Sequence, residues 1–177
     1  MSKRRTFNWP RAARASDGTG YRIRPITRDD TTRERTFIAA LSAETRYRRF
    51  MHVLGEASPA FVEKLVNIDR HLTMALVAVV GEDSAERIIG VTRYAADENL
   101  EDCEFAVVVG DEWQGRGIGT TLARLLFEYA ANEGFQKIYG TVQSDNERML
   151  DLARHLELEV EVPRGRQETV RAWRRLD

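Results

Sequence analysis

The chain has 177 residues, 27 basic and 28 acidic side chains, 42% hydrophobic residues and a single cysteine. That length builds one domain with a real core and needs no disulfide or metal to hold it. The lone Cys103 cannot form an internal bridge and points to a reducing, cytoplasmic setting. No apolar run approaches the roughly 18 residues required to span a bilayer, and a net charge of −1 lacks the basic field of a dedicated nucleic-acid binder. Neither a membrane nor a nucleic acid is expected as a partner.

Residues 1–20 carry Lys3, Arg4, Arg5, Arg11 and Arg14 against Asp17 and end in Asp17-Gly18-Thr19-Gly20. The stretch is too polar to build a core and reads as a flexible basic arm ahead of a single domain over residues 21–177. Alternation predicts a strand over 21–26, and the acids Asp29 and Asp30 open a helix running to about Leu41, where they suit the helix dipole. A second helix follows Ser42, with Tyr47, Phe50, Met51 and Leu54 facing inward and its arginines in water. A third starts at Ser58-Pro59 and buries Phe61, Leu65 and Val66.

Strands are predicted over 72–80, 87–95 and 102–109, joined by short turn-rich links that imply an antiparallel meander. A glycine-rich turn then feeds a helix with Leu122, Leu125, Leu126, Tyr129 and Ala130 on one face, stopped at Asn132-Glu133-Gly134. The next strand, over 136–142, must run parallel to the one before that helix. Ser144-Asp145-Asn146-Glu147 reads as a capping box opening a helix with Met149, Leu152, Ala153 and Leu156 on one stripe, and two last strands bracket Pro163-Arg164-Gly165-Arg166. The whole predicts an α+β fold, a mixed and mostly antiparallel sheet with helices on both faces.

The stretch with chemical content is Gln114-Gly115-Arg116-Gly117-Ile118-Gly119-Thr120, between a strand and an amphipathic helix. Glycines let the backbone turn so that its N–H groups converge, and the helix N-terminus adds about half a positive charge, which suits a pyrophosphate. The alternative is a tight strand-to-helix turn and nothing more. A P-loop is excluded because Arg116-Gly117 stands where Lys-Ser/Thr is required, and the glycine spacing misses the dinucleotide fingerprint.

Gln114-x-x-Gly117-x-Gly119 resembles the Gln/Arg-x-x-Gly-x-Gly/Ala signature of the GNAT superfamily of N-acetyltransferases, and the order of elements from 21 to 162 is similar to that family's. The resemblance implies a GNAT-like fold and an acetyl-CoA pyrophosphate held by Gln114, Gly115, Arg116, Gly117, Ile118, Gly119 and Thr120.

Period-two alternation puts Glu104, Ala106 and Val108 on one face of their strand and Phe105, Val107 and Val109 on the other. Glu104 is then either a carboxylate entering a buried strand, where an unpaired charge is costly, or a continuation of the solvated acids Glu101 and Asp102. The resemblance implies that Glu104 is the general base for the attacking amine. It implies as well that Val107, Val108 and Val109 hold the pantetheine through their backbone, one N–H polarising the thioester carbonyl in a ternary complex. Where many GNAT enzymes place a tyrosine to protonate the leaving thiolate, this chain has Ala153. Asn146 either touches the cofactor or simply starts its helix.

Residues 41–50 and 146–153 are similar to bacterial protein-lysine acetyltransferases. Larger members of that group acetylate acyl-CoA synthetases and carry a synthetase-like or cyclic-nucleotide-binding domain, neither of which fits in 177 residues. Where the family shows Leu-Gly-Phe, this chain has Leu156-Glu157-Leu158, which lacks the glycine suited to a left-handed cap.

His52, His71 and His155 stand apart from any ligand partner, so no metal is expected, and Cys103 reads as a buried structural thiol. Glu157, Glu159 and Glu161 form an acidic row that either draws in a basic substrate or pairs with Arg171 and Arg175. Three readings follow: an acetyltransferase acting on protein lysine, the favoured acceptor; one acting on a small amine; or a non-catalytic acetyl-CoA-binding module.

Overall fold

Among the described residues, alternating segments from Arg11 onward pair into one eight-stranded sheet. The computed structural model, described over residues 5–161, 165 and 167–176, runs β1 (Arg11–Arg14), β2 (Gly20–Pro25), α1 (Thr31–Ala40), α2 (Ala43–Phe50), α3 (Pro59–Val66), β3 (Thr73–Val80), β4 (Arg87–Ala96) and β5 (Asp102–Val109). It continues with α4 (Ile118–Glu133), β6 (Lys137–Gln143), α5 (Glu147–His155), β7 (Glu159–Glu161) and β8 (Thr169–Arg175). The spatial order is β1-β2-β3-β4-β5-β6-β8-β7. Among the described strands only β5 and β6 pair in parallel, because α4 returns the chain across the sheet before β6 begins.

The two faces carry separate cores. On one, Leu122, Leu126 and Ala130 of α4 and Ala153 and Leu156 at α5 pack on Ile23, Leu76, Ile89, Phe105 and Ile138. On the other, Phe37 and Ile38 of α1 and Val62 and Val66 of α3 pack on Ala75, Val77, Val91 and Val108. Side chains that alternate along a strand thus divide between two layers, which is the expected arrangement of helices on both faces.

The helix ends follow local chemistry. Ser42 accepts the Thr45 N–H at the start of α2, Ser58 accepts the Phe61 N–H with Pro59 in the first turn of α3, and Gly134 (φ 102°) closes α4. The cap of α5 is Asn146, which accepts the Met149 N–H, rather than the expected box from Ser144. The Ser144 hydroxyl instead donates to the carbonyls of Gln167 and Glu168, tying this loop to the start of β8.

Two further expectations are corrected. Residues 11–14 of the expected flexible arm are β1, antiparallel to β2. Ahead of them Phe7 stacks on Trp9 at 5.9 Å and tilts against Tyr129 of α4 at 5.2 Å, with the Arg11 guanidinium over both rings. Two aromatics among the arginines thus give the segment an apolar anchor.

On α2 the expected inward stripe holds in part: Phe50 and, beyond the helix, Leu54 are half-buried against the α1–α3 core, whereas the other two members are exposed. Tyr47 is 45% and Met51 39% exposed, no residue of the helix is fully buried, and Arg48 and Arg49 are half-buried. Residues 1–4 and, apart from Gly165, the turn expected over 163–166 lie outside the described residues.

At the end of α5 the missing glycine has a visible consequence. Leu158 N–H bonds to the Ala153 carbonyl at 2.9 Å and Glu157 itself takes the left-handed position, φ 57°. The cap closes as it would around glycine, at a cost to any residue bearing a Cβ. Glu157 also lies 3.9 Å from Arg174, but both side chains are well exposed and the pair contributes little. Glu157→Gly is therefore expected to raise stability by about 0.5–1 kcal/mol, read as a higher urea midpoint at unchanged slope.

Candidate active site

β5 and β6 pair over three residues only, Asp102 with Lys137, Cys103 with Ile138 and Glu104 with Tyr139. Beyond that point β5 stays paired to β4 as far as Val109, and β6 to β8 as far as Gln143, so the two strands part and leave a fork. The ring of Phe105 sits at the fork: a Cβ on Gly140 would lie 2.9 Å from it, so only glycine leaves the ring room.

The direction of the backbone groups in the fork follows from the ladder. Asp97 N–H bonds to the Asp102 carbonyl and Gly110 N–H to that of Ile89, so even-numbered residues of β5 point their N–H and C=O at β4 and odd-numbered ones point away from it. Val107 and Val109 therefore turn their N–H groups into the fork. Val108 does not join them, because its backbone faces β4 and its side chain packs in the α1–α3 core.

The glycine turn sits at the open end of this fork. Gly115 (φ 72°) and Gly117 (φ 81°) both adopt the left-handed conformation, and a Cβ on either would have no atom within 4 Å. Gly119 packs the start of α4 against β5, its Cβ direction meeting Val109 Cγ2 at 3.5 Å and Val107 Cγ2 at 3.9 Å. Ile118, Gly119 and Thr120 occupy the first turn of α4, where N–H groups have no partner within the helix. A turn open above its glycines and ending in such donors forms an anion cradle.

Three expected site residues have other tasks. Gln114 donates from Nε2 to the Val109 carbonyl at 3.0 Å and accepts at Oε1 from Arg148 of α5 at 2.5 Å, joining the two sides of the fork. Arg116 turns away from the cradle: its guanidinium bonds Asp17 at 2.8 Å and lies 5.0 Å over Trp113. The Asn146 side chain caps α5.

Glu104 lies at the closed end of the fork. It is exposed and accepts a hydrogen bond from Thr141 Oγ1 of β6 at 2.8 Å. Tyr139 follows on the same face, its hydroxyl donating to Asp97 at 3.1 Å; burial first, and then Asp97 and Glu104, push that hydroxyl up to about 12. Burial likewise pushes the Cys103 thiol up to about 12, so it is no nucleophile.

Helix α2 bridges the fork. Asp111, just ahead of Gln114, accepts from the Ser42 N–H (2.9 Å), the Ser42 hydroxyl (2.8 Å) and the Thr45 hydroxyl (2.7 Å). Burial pushes the Asp111 carboxyl up, but these bonds outweigh it and hold it below its ordinary value. At the other end Arg48 donates to Gln143 at 2.9 Å and pairs with Asp145. The sequence reading missed Thr45, Arg48, Asp111, Thr141 and Arg148. The resemblance over residues 41–50 was the one signal for the first two.

The sequence model of the acetyltransferase (GNAT) family matches residues 47–157, the span that holds the fork, the cradle and Glu104. The chain belongs to the GNAT acetyltransferase family. Acetyltransferase PA5475 of Pseudomonas aeruginosa is 42% identical to this GNAT chain over 136 residues, 77% of it and 73% of the relative. Acetyltransferase Pat of Mycolicibacterium smegmatis is 31% identical over 144 residues, 81% of this chain but 42% of its own, so the chain spans less than half of that relative.

Among solved structures, the GNAT domain of S. lividans PAT aligns with a TM-score of 0.86 at 25% identity, covering 95% of this chain and 97% of that one. A cAMP-binding acyltransferase from Mycobacterium smegmatis aligns with a TM-score of 0.62 at 25% identity, covering 95% and 47%. GNAT enzymes use acetyl-CoA, and a cradle open above Gly115 and Gly117 fits its pyrophosphate.

Gly117 and Gly134 are both left-handed and stand at opposite ends of α4, which allows a controlled comparison. Alanine at either position is expected to lower stability by about 1 kcal/mol. Only Gly117→Ala is expected to weaken CoA binding as well, by about tenfold in a calorimetric titration, because only that end of the helix carries the cradle.

Proposed function

We propose that this GNAT enzyme transfers the acetyl group of acetyl-CoA directly to a protein lysine, with Glu104 as general base. The observation that carries the reading is the fork itself, with an anion cradle at its open end, the inward N–H groups of Val107 and Val109 along it, and a solvent-reachable carboxylate at its closed end.

In this reading the amides of residues 115–120 hold the pyrophosphate and Val107 and Val109 hold the pantetheine. A lysine amine has an unperturbed pKa of about 10.4 and arrives protonated. Glu104 accepts the proton, directly or through one water, and Thr141 fixes the carboxylate by donating its hydroxyl to Oε1. The free amine attacks the thioester carbonyl, and the N–H of Val107 donates to the oxygen as negative charge gathers there. CoA leaves as its thiolate and, through water, takes up the second proton that the new amide nitrogen sheds; a thiol of pKa near 8.5 departs without an acid, and Ala153, fully buried, stands where a tyrosine would serve.

Protein lysine is supported by the resemblance to protein-lysine acetyltransferases and by surface charge. Glu159 and Glu161 are exposed and, by strand register, share the face of Tyr139 and Thr141. Arg171, opposite Glu161, places its guanidinium 4.2 Å over the Tyr139 ring, so the acids remain to attract a basic segment. An acyl-CoA synthetase is one such acceptor by that resemblance, and a small amine is the second reading.

The test is transfer of labelled acetyl from acetyl-CoA into a dialysed cell proteome, with protein and small molecules separated afterwards. Glu104→Gln is expected to slow protein labelling by about 10²–10³-fold while CoA binding is kept. Label at the wild-type rate in Glu104→Gln removes Glu104 as base; label confined to small molecules after metabolites are restored makes the acceptor a small amine.

A further inference from the structure

The glycine turn is short of restraint within itself. Arg116 stands between Gly115 and Gly117, two left-handed glycines with open space above them, and glycine has the most conformational freedom to lose. What fixes the shape of the turn must reach it from outside.

The outside contact is the β1–β2 hairpin. Gly18 N–H bonds to the Ala15 carbonyl at 2.9 Å and Ala15 N–H to the Thr19 carbonyl at 2.9 Å, with Gly18 at φ 87°. This is the pattern of a three-residue loop closed by a left-handed glycine, with Ser16 and Asp17 at the two central positions of its turn. Asp17 accepts the Thr19 N–H at 2.9 Å, and Arg14 donates to the Gly18 carbonyl at 3.0 Å. Ala15 and Tyr21 are buried in the core under α4, and β2 is paired to β3, so the loop is carried by the sheet.

The hairpin holds Arg116 twice. Ser16 N–H bonds to the Arg116 carbonyl at 3.0 Å. The Asp17 carboxylate takes the Arg116 guanidinium at 2.8 Å, while the ring of Trp113 supports that guanidinium from 5.0 Å. Hydrogen bonds from Thr19 first, and then the charge of Arg116, hold the Asp17 carboxyl below its ordinary value, so it stays an anion at neutral pH. Both side chains are partly exposed, so the pair contributes little to folding and its effect is local.

The backbone bond sets a direction. The 116–117 peptide is trans, and in a planar trans peptide the C=O and N–H point opposite ways. A carbonyl tied to Ser16 therefore leaves the Gly117 N–H turned away from the hairpin. Gly117 is also the cap of α4, and its own carbonyl accepts from Thr121 N–H and Oγ1, each at 3.1 Å. With the carbonyl on either side of it fixed, that N–H keeps one orientation.

We propose that Ser16 and Asp17 are positioning residues for acetyl-CoA: together they fix the Arg116–Gly117 peptide, so that the cradle meets the pyrophosphate already formed. The inference rests on the reading of residues 115–120 as the pyrophosphate cradle. Binding to a preformed site avoids the cost of ordering it, so loss of either contact shows in cofactor affinity while the fold and the transfer step are kept. Residues 16 and 17, which form no part of the fork, thereby acquire a task in cofactor binding.

The experiment is a calorimetric titration of CoA into the full chain, with thermal melts of the ligand-free variants. Asp17→Asn keeps the shape of the side chain, removes its charge, and is expected to weaken CoA binding about threefold. Ser16→Pro removes the N–H at a turn position that suits proline and is expected to weaken binding about fivefold. Both are expected to melt within about 2 °C of the wild type. Both are also expected to transfer acetyl at the wild-type rate at saturating acetyl-CoA, whichever acceptor takes the label, so that KM for acetyl-CoA rises and kcat stays. In an Arg116→Ala background Asp17→Asn is expected to change affinity no further, because Asp17 acts through that guanidinium.

An affinity unchanged in one variant removes that residue's role, and unchanged in both it overturns the proposal. Tighter binding in Asp17→Asn overturns it as well, since a released Arg116 side chain then serves the phosphates better than a fixed turn. A loss of affinity matched by a lower melting temperature and a lower saturated rate makes the hairpin merely structural and overturns the positioning role. Asp17→Asn carries the test should Ser16→Pro not fold. Gly117→Ala without effect on affinity removes the cradle reading itself, whereas weaker binding in Gly117→Ala beside unchanged hairpin variants removes only the positioning by Ser16 and Asp17.

Discussion

The site depends on the place where β5 and β6 stop pairing. Three residue pairs hold the strands parallel; one step later each strand keeps only its outer neighbour, and the N–H groups of Val107 and Val109 are left facing a gap. A backbone N–H left out of a ladder takes its hydrogen bond from water or from a bound group. In an enzyme family that uses acetyl-CoA, the amide-bearing chain of pantetheine is a fitting partner. Phe105 and Gly140 mark the point of parting, because the ring occupies the volume that any side chain at 140 would claim.

Around the fork the contacts are polar, and that has a physical consequence. Gln114 ties the end of β5 to α5 through Arg148, Asp111 ties the cradle to α2 through Ser42 and Thr45, and Arg48 carries α2 across to Gln143 and Asp145. Hydrogen bonds of this kind each stabilise by about 1 kcal/mol, far less than a buried apolar face. α2 adds only the half-buried Phe50, against Phe61 of α3, so it is the covering element most easily displaced, while α1, α3 and α4 are fixed by two apolar cores.

The strands of the meander, the long amphipathic α4 and the two-faced sheet were legible in the chain because each rests on period and on local caps, which neighbouring residues determine. The glycine turn was legible for the same reason: Gly115 and Gly117 take a left-handed backbone that only glycine adopts cheaply. Where the reading failed, distant residues had intervened. Arginines on a short helix look solvated until the helix is seen to lie over a charged sheet, as with Arg48 and Arg49. Residues 11–14 look like a loose arm until β2 offers them an edge and Tyr129 offers Phe7 a ring. Ser144 looks like a cap until the start of β8 takes its hydroxyl.

By itself the sequence determined the local conformations, the order of elements and the family resemblance, since glycine placement and apolar period act over a few residues at a time. It placed Glu104 on a strand and on the correct face of it. Only the tertiary structure decided what stands next to that carboxylate: Thr141 from β6, which donates to it, and Arg93 of β4, diagonal to it across the ladder. Electrostatic and hydrogen-bonding partners are chosen by distance in space, and the register of β4, β5 and β6 brings together residues that no local pattern connects.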